Sequence, residues 1–289
     1  MTVMDVRTGR GRPVAVAAGL AAFAAAYAWL LATGHTEIKP SADPGAAGVP
    51  LLAAILPPLA AIVLTRLVPP RAEPPLPLAG LPRQRIAREA WALVGAAAVF
   101  SAVVAGRPGQ DWYPLAKLLL LLVVPLVVLR LSRGGGPRAR AIPRPVVWLA
   151  PLPAMAAWFV LSHFGPLATP LTQDLPDPVT LAVASLVTLL TASVLEEIFY
   201  RGWLQTRLET LYGRWPAILG SSLLFALMHT TRLDWSDVGF GLASMVAVQG
   251  VFGLMQGYLW ARYRNIWAVI LVHVVVNLVY VDMLIQGRW

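Results

Sequence analysis

Glu196 and Glu197 stand side by side at the end of an apolar run, residues 179–195. An ionised carboxylate near the centre of a membrane helix costs about 2.5–3.5 kcal/mol on insertion scales, so such residues are functional candidates by default. Two further apolar stretches carry ionisable groups: His229 closes Phe225-Ala-Leu-Met-His229, and His273 opens His273-Val-Val-Val-Asn277. Carboxylates and imidazoles relay protons near neutral pH. An imidazole N–H and an amide NH₂ donate hydrogen bonds to a developing oxyanion. Together these groups describe attack of an activated water on a carbonyl, carried out inside a membrane.

Spacing divides the work between the two glutamates. Residues four apart share a helix face, so Glu197 is expected to pair with Arg201 and to support the site. Glu196 lies about 100° round the helix, on the side of Ala192, Ser193 and Tyr200, with no cation in its own helix. Burial is expected to push its pKa up towards neutrality, which suits a general base. The competing reading is that both carboxylates pair with basic residues and only hold the bundle together. His273 and Asn277 share one face of their helix; the competing use is hydrogen bonding between helices. His229 and His163 also fit as interfacial histidines.

The elements that must position these groups are membrane helices. The 289-residue chain is 58% hydrophobic and only 13% charged, against about 25% charged in soluble domains. This defines an all-α, polytopic transmembrane bundle. Apolar runs at 13–33, 48–68, 90–106, 115–129, 145–165, 179–195 (the helix continuing to about 212), 215–231, 239–261 and 266–285 predict eight or nine spans. Residues 69–89 read as a loop with a short surface helix near Arg85. If the polar turn Tyr212-Gly213-Arg214 is a hairpin bend, Glu196 and His229 lie level, each about 24–26 Å from it. His273 sits only about 12 Å past the turn near Arg264. It reaches that level if the sixth and seventh helices protrude beyond the turn.

The net charge of +9 does not point to nucleic acid, because the basic residues sit in short loops between apolar runs. With the N-terminus inside, only Lys39, Arg107, Arg232 and Arg288 fall outside, and Lys117 lies within a span. The absence of Cys excludes disulfides, thiol catalysis and thiolate metal sites. All basic residues but Lys39 and Lys117 are Arg, and Ala is abundant. This points to a GC-rich bacterial genome and so to a bacterial cytoplasmic membrane. Small residues at Gly220, Ser221, Ser222, Gly250, Gly253 and Gly257 are expected to let helices approach closely.

The order Glu196-Glu197-x-x-x-Arg201, Phe225-x-x-x-His229, His273-x-x-x-Asn277 on hydrophobic helices resembles the three motifs of the CPBP (Abi) family. That family includes CAAX prenyl endopeptidases and bacteriocin-processing and self-immunity proteins. Gly253-Leu-Met-Gln-Gly257-Tyr-Leu-Trp, leading into Ile266-Trp-Ala, is similar to its pattern between the second and third motifs. The resemblance covers about residues 179–281 and divides the chain into a region of unknown role, 1–165, and a protease-like core, 166–289. It implies an intramembrane endopeptidase acting on a peptide or membrane-protein substrate. It assigns Glu196 and His229 to water activation, His273 and Asn277 to the oxyanion, and Glu197 and Arg201 to support. No cofactor is favoured. The chain lacks a His-Glu-x-x-His helix, and Glu196, His229 and His273 are the ligand candidates for zinc. The alternative is a non-catalytic membrane partner, an immunity or scaffold protein, that keeps the motifs for packing.

Overall fold

The computed structural model describes residues 11–39, 45–71, 74, 78, 80–106, 112–134, 147–233 and 235–287. The loop at 107–114 and the basic loop at 130–144 lie largely outside these residues. Each apolar run of the sequence forms helix: α1 Gly11–Ala32, α2 Leu51–Leu67, α3 Arg83–Gly106, α4 Tyr113–Arg133, α5 Leu152–His163, α6 Pro178–Tyr212, α7 Arg214–Leu227, α8 Val238–Tyr263, α9 Ile266–Asn277 and α10 Val279–Gln286. Extended structure among the described residues is one two-residue antiparallel pair, Glu37–Ile38 with Val49–Pro50. Five helices (α1, α3, α4, α6 and α8) are long and apolar enough to cross a membrane, or six if α9 and α10 count as one bent span. The helices α2, α5 and α7 are apolar but shorter.

Local chemistry sets the boundaries. Asp177 caps α6 by accepting from the backbone N–H groups of Val179 and Thr180, both at 3.1 Å, with Pro178 at the first helical position. A hydrogen bond from the Thr180 side chain, together with these backbone bonds, holds the exposed Asp177 carboxyl below the usual carboxylate range. Asn265 caps α9 through Trp267 and Ala268 at 3.0 and 3.1 Å. Gly213, with φ +91°, ends α6 and turns the chain into α7. The first half of α6 exposes Val179, Val183, Leu186 and Leu190, whereas every side chain from Leu195 to Glu197 is buried. An apolar outer surface around a buried polar centre is what a lipid-embedded bundle requires.

Two expectations from sequence are corrected. First, residues 83–89 are not a loop with a separate surface helix. They are the first turns of α3, and Glu89 is buried there. Arg85 donates to one Glu89 oxygen at 2.8 Å and Arg207 of α6 donates to the other at 2.7 Å. The charge is compensated within the protein, so the helix extends past the apolar run. Second, the run 266–285 is broken by a 70° bend at Leu278, which has extended backbone angles. The bend follows Val274-Val-Val-Asn277, residues of low helix propensity.

Helix α6 lies at the middle of the bundle, against α3, α4, α7 and α9. Close approach of α8 depends on glycine. A Cβ on Gly253 would come within 3.2 Å of the Ser222 Cα, and one on Gly257 within 2.9 Å of the Gln205 side-chain oxygen. Gly250 faces the Phe23 ring of α1. Gly220, grouped with these by sequence, instead faces open space, with nothing within 4 Å of a Cβ. Gly253→Val is therefore expected to drive α7 and α8 apart and lower the unfolding temperature of the detergent-purified protein, since overpacking costs about 1–3 kcal/mol. Gly220→Ala is expected to leave that temperature unchanged, and equal shifts for the two variants would reject the packing assignment.

Candidate active site

Glu196 and Glu197 lie on a stretch of α6 flanked by π-helical turns, Leu189–Val194 before and Ile198–Gln205 after. Such widened turns are frequent at functional sites. Both carboxylates are buried, as are Arg201 and His273. Glu197 and Arg201 form the ion pair that their spacing predicts, at 3.2 Å. The same carboxylate accepts from Nδ1 of His273 on α9 at 2.7 Å. Glu197 thus holds the imidazole as well as the guanidinium. A carboxylate on Nδ1 orients the ring and stabilises its imidazolium form.

Nε2 of His273 points towards Glu196, 3.9 Å from Oε2. Arg264, at the turn before α9, bonds Glu209, one turn short of the end of α6. Further along the two helices, His273 meets the glutamate pair.

Asn277 joins the cluster through Ser193. Its Nδ2 donates to Ser193 Oγ at 3.3 Å, and that hydroxyl donates to the His273 carbonyl at 3.3 Å. His229, half-buried at the end of α7, donates from Nδ1 to the Phe225 carbonyl at 2.9 Å. The Phe225 ring is the common wall of the site. His229 and His273 pack on it at centroid distances of 5.1 and 5.8 Å, Tyr200 at 5.4 Å, and the Arg201 guanidinium lies over it at 5.1 Å. Glu196, Glu197, Arg201 and His273 are thus in direct or near contact, Asn277 is linked through Ser193, and His229 through Phe225.

Sequence reasoning missed two residues. Ser193 was legible only as a small polar residue within an apolar helix. Lys117 reads from the sequence as a lone lysine within a span. Its ammonium donates to Oε1 of Glu196 at 2.6 Å, with both side chains buried. The cation that α6 does not supply to Glu196 comes from α4. His163, read as interfacial, lies 3.7 Å from Asp282 of α10.

Among the described residues, no three His, Asp or Glu side chains are grouped so as to hold a metal ion. Glu196, His229 and His273, the candidate zinc ligands, do not form such a group in this arrangement. One oxygen of Glu196 is held by an ammonium, and Nδ1 of His273 by a carboxylate.

These features define an integral membrane protein, a helix bundle with a buried carboxylate–imidazole cluster. Residues 178–279 match the family model described as Rce1-like, type II CAAX prenyl endopeptidase. The match spans the three motifs and agrees with the resemblance to the CPBP family. Over residues 178–279 the chain thus resembles that family. No curated protein and no solved structure gives a match.

Proposed function

We propose that this protein is a glutamate-type intramembrane endopeptidase of a bacterial cytoplasmic membrane, and that the segment 166–289 carries its chemistry. The observation that supports this most directly is the buried triplet Glu196, His273 and Glu197, with Nε2 of His273 3.9 Å from Oε2 of Glu196. It lies within the segment that matches the Rce1-like model.

The residue roles follow from the donor and acceptor atoms. Water contacts Oε2 of Glu196 and the imidazole of His229, and attacks the scissile carbonyl as Glu196 takes its proton. The tetrahedral oxyanion accepts from Nε2–H of His273, whose imidazolium form is balanced by Glu197, and from the second N–H of the Asn277 amide. Glu196 then returns its proton to the leaving amine. Arg201 balances the remaining charge of Glu197. No step passes through a metal ion.

The substrate class is a membrane-associated peptide, lipidated or carrying a leader. A panel of quenched peptides tests this: prenylated C-terminal tetrapeptides, leader peptides and a membrane-anchor segment, offered to the purified full-length protein. Cleavage of at least one class, unaffected by chelator, is expected. Cleavage lost with chelator and restored by zinc would reject the glutamate-type mechanism. No cleavage of any class would favour the non-catalytic partner. On a cleaved peptide, Asn277→Ala is expected to lower kcat about 10²–10³-fold, the usual cost of one oxyanion donor. A change below a few-fold would remove Asn277 from the oxyanion site.

A further inference from the structure

Lys117 lies outside residues 178–279, and nothing in the family match bears on it. It is one of two lysines in the chain, the other being Lys39. It projects from α4, which is apolar enough to span a membrane. Its side chain is almost wholly buried, a costly place for an ammonium without a partner. The partner is Glu196: Nζ lies 2.6 Å from Oε1, shorter than most ammonium–carboxylate contacts. The ammonium also lies over the Tyr113 ring, 4.6 Å from its centroid. Tyr113 in turn packs on Phe100 of α3 at 5.6 Å. Just beyond Lys117 the helix widens into a π turn, Leu119–Val123. Leu121 of that turn belongs to the same hydrophobic core as Phe199 and Tyr200. The lysine is therefore fixed from both sides by its own helix.

We infer that Lys117 is a positioning residue for Glu196. It supplies the counter-charge to this buried carboxylate, and it anchors Oε1 so that Oε2 faces Nε2 of His273. The inference rests on the reading of Glu196 as the proton acceptor. It gives the N-terminal region, otherwise without a role, one part in the site. Among the described residues, the charged and titratable groups around Glu196 are Lys117 and Tyr113 from α4, His273 from α9, and Glu197, Tyr200 and Arg201 from its own helix. Of these, Arg201 and His273 are already held by Glu197. Lys117 is the cation bonded to Glu196.

A membrane-permeant carbodiimide tests this without a substrate. The reagent couples to a carboxyl group that carries a proton and spares one held as an ion pair. With full-length protein in detergent at neutral pH, mass spectrometry is expected to find Glu196 unmodified in the wild type. In Lys117→Met, Glu196 is expected to be modified at least about tenfold more, and Lys117→Arg is expected to restore protection. Equal modification of Glu196 in wild type and Lys117→Met would overturn the inference. Should Lys117→Met fail to fold, the Lys117→Met/Glu196→Gln double variant decides. Removing both charges is expected to restore the folded yield, and failure to do so would overturn the ion pair.

On a peptide that the wild type cleaves, Lys117→Met is expected to lower kcat about 10²-fold, the cost of a misplaced catalytic group. KM should stay within a few-fold, and Lys117→Arg should recover most of the rate. Wild-type-like turnover by Lys117→Met would overturn the inference and leave the protease reading intact. If the wild type cleaves nothing, the protease reading fails, and the carbodiimide contrast still decides the state of Glu196.

Discussion

Glu196→Gln is expected to abolish peptide cleavage, by about 10³-fold or more, while the variant purifies as a folded protein. The amide keeps the size and one acceptor oxygen of the carboxylate but cannot take a proton from water. Loss of a general base costs about 10²–10⁴-fold. That the fold survives needs its own argument, because the substitution removes the carboxylate bonded to Lys117. An ammonium stranded in a membrane interior is costly. Lysine, however, sheds its proton readily when buried without a counter-charge. A neutral amine facing a neutral amide leaves no net charge, and the two can still share a hydrogen bond. The expected signature is therefore an unchanged elution profile, a small drop in unfolding temperature, and no turnover on any peptide that the wild type cleaves. Turnover near the wild-type rate would remove Glu196 from the general-base role.

Much of this site was legible in the sequence because helix geometry and membrane cost act locally. Glu197 and Arg201 pair because residues four apart share a face. Counting residues from Gly213 puts Glu196 and His229 at one level, and the α6–α7 hairpin sets Tyr200 and His229 against the Phe225 ring. Long-range pairing was not legible. Lys117 is 79 positions from Glu196, and its periodicity reveals only that it lies in a span. Arg207 is likewise far from Glu89; without that partner, the first turns of α3 read as loop. The 70° bend at Leu278 was hidden for a different reason. Apart from Asn277 its immediate neighbours are apolar, and hydropathy records length but not direction. The π turns beside the glutamates leave no periodic signature over so few residues.

The pairing of Glu197 with both Arg201 and His273 makes the two adjacent glutamates unequal. Lys117 answers to Glu196 and can become neutral. Arg201 answers to Glu197 and cannot, since a guanidinium keeps its proton in proteins. The site therefore holds one ion pair that tolerates proton movement and one that does not. This is the asymmetry a proton-transfer centre needs: the moving proton belongs to Glu196, and the fixed charge belongs to Glu197.

Glu197→Gln is accordingly expected to damage the fold more than Glu196→Gln does. Arg201 is fully buried and over the Phe225 ring, and among the described residues its terminal nitrogens have no hydrogen-bond partner. Removing its carboxylate strands a charge that has no neutral form. Breaking one side of a buried ion pair costs about 3–5 kcal/mol. A large drop in unfolding temperature and a poor yield of monodisperse protein are expected. The fraction that folds carries a second defect. The amide has one acceptor oxygen where the carboxylate had two, so it cannot serve both the guanidinium and Nδ1 of His273. If its NH₂ donates to Nδ1, the imidazole becomes neutral and keeps a proton on Nε2. The oxyanion then loses the charge of its donor but not the donor, and kcat is expected to fall about 10–10²-fold, less than for loss of a whole donor. If His273 instead served as the base, a neutral ring protonated on Nε2 would be inactive. The loss would then approach the roughly 10⁴-fold seen when a triad histidine is held in the wrong tautomer. Thermal unfolding and single-turnover cleavage, measured on the same preparation of Glu197→Gln, separate these outcomes. Stability equal to wild type would reject the pairing with Arg201. A loss near 10⁴-fold in the folded fraction would move His273 from the oxyanion site to the attacking water.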